Sequence, residues 1–216
     1  MAEAQLQPPR HLVHAPQQRR GHERQDALIR AGLHLTEARD WDAVKVGDIA
    51  AEIGCSIGTF YTRFRTKEAY FDVLLDLMVQ TMLQRTEVFH GEPERRREAP
   101  AQFIASWVHL GVHSFRMHRG LYATALLNLR RLEPEARSSS PLVLLRDRSR
   151  ASLLEAMARY PGWSAPTAQA RLLFAHQMMQ GVLLNAVLTN PGPLHLDDPA
   201  FETELTGALC AYLGMA

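Results

Sequence analysis

The sequence predicts an all-α chain of about nine helices, and three observations carry that expectation. Apolar residues recur at helical spacing from His22 onward. The periodic tracts are separated by proline and glycine. No segment alternates at period two for long, the nearest being Val44, Lys45 and Val46. No internal repeat is visible.

Residues 1–21 lack periodicity, contain Pro8, Pro9 and Pro16, and end in Arg19 and Arg20, which reads as a flexible arm. The first helix follows from His22 to about Asp40, with Leu28, Ala31, Gly32 and Leu35 one turn apart. Val46, Ile49, Ala50 and Ile53 make a second short period, and Gly54 supplies the left-handed residue that ends it. Ser56 caps a third helix with Phe60 and Phe64 on one face. A fourth runs from Thr66 to about Val88, with Glu68 well placed in its first turn. His90 to Glu98 reads as a solvated loop. Three tracts follow at about Ala99 to His118, Gly120 to Leu132 and Pro141 to Tyr160, then two more at Ala165 to Asn190 and Asp198 to Gly214.

Composition narrows the class. Across 216 residues, 24 basic and 23 acidic side chains nearly cancel, and 46% of the residues are apolar, which suits a globular chain and excludes a polycationic tail. Up to Lys67 there are 10 basic and 8 acidic residues, and beyond it 14 and 15, so global charge says little about partners. Cys55 and Cys210 are too few and too far apart for a disulfide framework or a zinc site. No apolar run approaches membrane-spanning length, and the first twenty residues lack a signal peptide's hydrophobic segment. A soluble, cytoplasmic protein without membrane contact is expected.

The stretch from Asp48 to Tyr70, DIAAEIGCSIGTFYTRFRTKEAY, carries the functional signal. A short amphipathic helix, the turn Gly54, Cys55 and Ser56, and a second short helix follow in helix-turn-helix order, a unit whose second helix enters the major groove of duplex DNA. From Ile57 to Lys67 there are three cations, Arg63, Arg65 and Lys67, and no carboxylate, so the segment is suited to neutralising phosphates. Lys67 stands at a helix start, where backbone N–H groups add to the attraction for an anion. Phe60, Tyr61 and Phe64 at helical spacing are equally a core pattern, and Phe60 and Phe64 are read that way.

Through DIAAEIG, the turn GCS, the run GTFYTRF and the following TKEAY, the stretch from Gln25 to Leu75 resembles the TetR family of bacterial transcriptional regulators. The resemblance implies an N-terminal helix-turn-helix DNA-binding domain over residues 22–68 and a helical ligand-binding and dimerisation domain over 69–216. It implies phosphate contacts by Thr59, Tyr61 and Lys67, base contacts by Ile57, Gly58, Thr62 and Arg63, with Arg63 the leading candidate for guanine, and a place for Ser56 on the same surface. Lys45 stands where the family usually has a Ser or Thr cap, and Gly47 where an Arg is common. Lys45 can still reach a phosphate, and Arg19 and Arg20 are candidates for the minor groove.

The resemblance further implies a homodimeric repressor, released from a palindromic operator by a small, largely apolar effector. Phe103, Trp107, Phe115, Tyr122, Phe174 and Met178 are enough aromatic and soft side chains to line a pocket between helices, and equally to make an ordinary core. Leu173 to Leu188 and Phe201 to Leu213 are the expected dimer helices. On them Ala175, Gly181 and Ala186 permit close approach, with Leu205 and Leu209 beside them. No cofactor and no catalysis are expected. His109 and His113 lie four apart on one helix, as two metal ligands would, but no carboxylate or cysteine stands at ligand spacing, and solvated or packed histidines fit as well. Cys55 reads as a small turn residue ahead of a redox switch. The competing reading is a helical ligand-binding or protein-interaction module whose helix-turn-helix is only structural, and an enzyme comes third.

Overall fold

The structure, a computed structural model, describes residues 19–215, with side chains from Gly21. The described residues form ten α-helices and one 3-10 turn, with no β-strand. They are α1 (Arg19–Ala38), the 3-10 turn (Trp41–Ala43), α2 (Val46–Glu52), α3 (Ile57–Tyr61), α4 (Lys67–Gly91), α5 (Pro100–Met117), α6 (Arg119–Leu129), α7 (Pro134–Ser138), α8 (Pro141–Met157), α9 (Pro166–Leu188) and α10 (Pro199–Leu213). Helices α5, α7, α8, α9 and α10 all begin on proline, whose fixed φ and missing N–H cost nothing in a first helical turn.

Two expectations change. Arg19 and Arg20, expected at the end of an arm, belong to α1; the rest of the expected arm lies outside the described residues. Helix α7 is the tenth helix. Its segment has no apolar period to reveal it, since every residue from Glu133 to Ser139 is exposed. Pro134 starts it, Glu135 suits its first turn, and the Arg137 guanidinium donates to the Leu132 carbonyl at 2.9 Å.

The chain divides into two compact units. The first runs through Thr81 and regains His118–Pro141; the second is Met82–Met117 with Leu142 onward. Helix α4 is continuous through the boundary. Its early residues are held in the first unit because Tyr70, Val73 and Leu74 are fully buried there, as Leu28, Ile49, Phe60 and Phe64 are.

In the first unit Tyr70 is the hub. Its ring lies 5.0 Å from Phe60 and 4.6 Å from Phe64, both edge-on, and its hydroxyl donates to the Leu28 carbonyl at 2.6 Å. That approach requires Gly32, where a Cβ would fall 2.0 Å from the Tyr70 hydroxyl oxygen. Burial pushes the Tyr70 phenol well above its ordinary range, so it remains a donor. Gly120 does the same for α6, since a Cβ there would meet the Arg39 carbonyl oxygen at 2.1 Å.

In the second unit α10 packs on α5 and α9. Phe103, Ile104, Val108 and Val112 of α5 are buried, as are Leu172, Ala175 and Leu183 of α9 and Leu205 and Leu209 of α10. Arg116 ties the loop before α10, donating to the Leu196 carbonyl at 2.7 Å and the Asp198 carbonyl at 3.2 Å. The Arg95 to Glu98 run is not simply solvated. Arg95 donates to Glu92 at 3.1 Å, to Ser106 at 2.7 Å and to the Glu98 carboxylate, and its guanidinium lies over the Phe89 ring. No described helix is long and apolar enough to cross a membrane.

Candidate nucleic-acid interface

Helix α2 begins through a carboxylate. Asp48 accepts the Lys45 backbone N–H at 3.0 Å and the Arg39 guanidinium at 2.9 Å, and these contacts, the backbone bond first, hold its pKa below the ordinary carboxylate range. Arg39 also donates to the Ala43 carbonyl at 2.7 Å, so one guanidinium joins the end of α1 to the start of α2. Lys45 caps through its backbone, which leaves its exposed side chain uncommitted.

The turn is fixed by Gly54, at φ 64°, where its N–H reaches the Ala51 carbonyl and the Cys55 N–H reaches Ala50 at 2.9 Å. Ser56 then caps α3, its Oγ accepting the Thr59 N–H at 3.2 Å. The Thr59 hydroxyl lies 3.1 Å from Ser56 Oγ, and the Thr62 hydroxyl donates to the Thr59 carbonyl at 2.7 Å. Three hydroxyls of this short helix are therefore engaged within it.

Packing separates the two roles of the aromatic run. Phe60 and Phe64 are fully buried. Ile57 is 52% exposed and Tyr61 48%, although an Ile and a Tyr on a five-residue helix would ordinarily cover a core. Gly58 and Thr62 are exposed beside them.

The cations are less alike than the sequence suggests. Arg65 is exposed. Lys67 is the first residue of α4, and its Nζ donates to the Trp41 carbonyl at 3.1 Å while lying 4.6 Å from the Trp41 ring centre. Trp41 as its partner was not legible, because 26 residues separate the two. Arg63 lies beyond the last turn of α3, past the C-cap Thr62, and its Nε is buried without a hydrogen-bond partner.

The other expected site residues lie elsewhere. Tyr122 belongs to the first compact unit, whereas Phe103, Trp107, Phe115, Phe174 and Met178 belong to the second. Phe103, Trp107 and Phe115 are buried; Phe174 is 48% exposed, with its ring 5.6 Å from Tyr212. A cavity of about 790 Å³ in the second unit is lined by none of these six, but by the last turns of α4, by Arg96 and by α8. Its walls include Leu83, His90, Arg148, Ala156 and Arg159. Burial, and then the charge of Arg159, push the His90 pKa down. A second cavity, of about 490 Å³, lies in the first unit among α4, α6 and α7.

Of the expected dimer residues, Ala175, Ala186, Leu205 and Leu209 are buried within the protomer and face inward. Gly181 is exposed with open space around it. The outward face of α9 carries Phe174, Gly181 and Leu188 at seven-residue spacing with Val182 alongside, and that of α10 carries Gly207, Ala208 and Ala211. His109 and His113 stack at 6.2 Å, and His109 is hydrogen-bonded to Glu202 at 2.9 Å. Among the described residues no three metal-ligating side chains converge.

An all-helical fold, a capped helix-turn-helix and a run from Ile57 to Lys67 with three cations and no carboxylate define a protein of the DNA-binding helix-turn-helix class. Residues 28–74 match the model for bacterial regulatory proteins of the tetR family. That match covers the helix-turn-helix domain; beyond it the likeness is one of fold. No curated protein matches it. Among solved structures, a tetR-family transcriptional regulator from Streptomyces coelicolor shares its fold at a TM-score of 0.66 and 16% identity, over 88% of this chain and 80% of that one. A transcriptional regulator from Cytophaga hutchinsonii does so at 0.62 and 12%, over 89% and 95%. FadR from Bacillus subtilis, in complex with stearoyl-CoA, does so at 0.54 and 18%, over 88% and 96%.

Proposed function

We propose that the chain is a homodimeric repressor whose two α3 helices dock in successive major grooves of a near-palindromic operator, and which a small molecule releases. The observation that carries this is the exposed face from Ser56 to Lys67, where side chains that could have packed inward stand in solvent among cations with no carboxylate. One five-residue helix is too small to specify a site alone. Two copies about 34 to 36 Å apart, one helical turn of DNA, supply the rest.

The outward faces of α9 and α10 are the dimer surface in this reading, with Phe174, Gly181 and Val182 replacing the inward-facing Ala175 and Leu209 as its centre. Thr59, Tyr61, Lys45 and Lys67 serve phosphates. The 790 Å³ cavity is of the size that holds small ligands. Its lining by Arg96, Arg148 and Arg159 with Glu87 and Glu155 suits an effector with a polar or charged group on an apolar body more than a wholly apolar one. Helix α4 belongs to both units and is the element through which binding in one is felt in the other. Linkage then requires effector and operator to weaken each other by the same factor, typically about 1 to 3 kcal/mol.

The test is selection from a pool of random duplexes by the full chain, followed by salt titration. Recovery of an inverted repeat with affinity falling steeply in salt is the expected result. Failure to retain any duplex, at low salt and without effector, would sink the DNA-binding reading in favour of a structural helix-turn-helix.

A further inference from the structure

The chemistry left free on α3 points to the kind of base it meets. An α-helix reads guanine in the major groove through side chains that offer paired donors, adenine through an amide that donates to N7 and accepts from N6, and thymine by apolar contact with its C5-methyl group. Helix α3, Ile57–Tyr61, and its C-cap Thr62 contain no Arg, Lys, Asn or Gln. Its hydroxyls each make a hydrogen bond within the segment, Ser56 and Thr59 at the cap and Thr62 to the Thr59 carbonyl. Gly58 adds no side chain. What remains toward solvent at the start of the helix is the aliphatic side chain of Ile57, 52% exposed. Leaving an isoleucine in water forfeits the burial that a polar residue there would not need, and the acid-free charge around it suits no partner better than a polyanion.

We propose that Ile57 is a specificity-determining residue that reads a thymine methyl group in each half-site, so that recognition by α3 rests on an A·T pair and not on guanine. Arg63, set past the helix end with its Nε buried, does not supply the guanine contact. This inference rests on the DNA-binding reading above and makes it specific.

The experiment uses the full chain and the duplex it selects from random DNA. Each thymine of the selected half-site is replaced in turn by deoxyuridine, which removes only the methyl group and keeps base pairing. At one position per half-site the wild-type protein is expected to lose roughly 3- to 5-fold in affinity, the value of one methyl-sized apolar contact. The Ile57→Ala variant should bind both duplexes within about 1.5-fold of each other, and Ile57→Val should retain most of the discrimination. Ile57 is exposed, so neither variant threatens folding. An operator bound tightly with no methyl-sensitive position, or a methyl effect unchanged in Ile57→Ala, overturns this inference and leaves DNA binding standing. Failure to select any duplex overturns both.

Discussion

The outward faces of α3 and α9 expose apolar side chains to nearly the same degree and sit in opposite chemical surroundings. Ile57 and Tyr61 are about half exposed, as are Phe174 and Val182. The run from Ile57 to Lys67 holds Arg63, Arg65 and Lys67 and no carboxylate; the run from Phe174 to Val182 holds no charge at all, Arg171 standing one turn before it. An exposed apolar residue by itself names no partner, since single ones are normal on any surface. The neighbouring charge says which: cations without carboxylates suit a polyanion, and a neutral face with small residues suits a close copy of itself.

The largest effect should come from breaking the α9 face. Val182→Glu places a carboxylate where two copies are proposed to meet, on an exposed position that the protomer itself does not need. The expected outcome is a monomer by sedimentation at micromolar concentration, a little-changed melting temperature for the protomer, and operator affinity reduced on the order of 100-fold or more as bivalence is lost. Tyr61→Ala, on the other face, should leave the dimer intact. A persistent dimer of Val182→Glu would move the interface away from α9.

The inward side of the same helix gives the next effect. His176 is buried against Trp107, and burial, then the charges of Arg150 and Arg146, incompletely offset by Asp147, push its pKa from 6.5 to about 4. Between those values the unfolded chain binds a proton that the folded chain excludes, so folding stability falls as pH drops from 6.5 toward 4 and levels off below. The loss should reach about 3 kcal/mol. Urea unfolding at a series of pH values measures it, and His176→Leu should flatten the profile. An unaltered slope in that variant would assign the acid sensitivity to other groups.

The head was the more legible region, because its determinants are local. Gly54, Ser56, Phe60, Phe64 and Tyr70 lie within seventeen residues, and each names a distinct physical requirement: a left-handed residue, a cap oxygen, three rings meeting at one point. The faces of α9 were not legible for a related reason. Leu173, Phe174, Ala175, Met178, Met179, Val182 and Leu183 surround the helix with apolar groups, so periodicity cannot say which side turns inward. Ala175, expected at the interface, turned inward, and Phe174, expected in the pocket, turned outward. The 790 Å³ cavity was hidden because its walls mix Leu83, Ala151 and Ala156 with Arg, Glu and His, and no apolar pattern marks them. The return of α6 and α7 to the first unit depends on Gly120 meeting the Arg39 carbonyl, a contact between residues about eighty positions apart.

A third measurement separates structure from binding at Lys67. Its ammonium both holds the Trp41 carbonyl and lies over the Trp41 ring, so Lys67→Ala should lower stability by about 1 to 2 kcal/mol. It should also weaken every duplex alike and reduce the slope of affinity against salt by about one. Unchanged stability with weakened binding would show that the Trp41 contact is worth nothing in water.

The smallest effect, and the one that sharpens the contrast within the head, belongs to Arg63. As a base reader it would have to act from a helical position, yet α3 ends at Tyr61, and the Arg63 N–H closes a turn onto the Phe60 carbonyl at 2.9 Å. Its Nε is buried without a partner, so the stem is held against the protein and only the end of the guanidinium can reach outward. A charge so placed meets a phosphate, whose position does not depend on sequence, more readily than a base edge. Arg63→Ala should therefore weaken selected and unrelated duplexes by the same factor, roughly 5-fold or about 1 kcal/mol, and lower the salt slope by about one. Arg65→Ala, at an exposed position two residues on, is the matched control for a cation of the same loop. A loss confined to duplexes carrying guanine at one position, abolished by 7-deazaguanine there, would restore Arg63 as a base reader and return part of the specificity from methyl contact to charge.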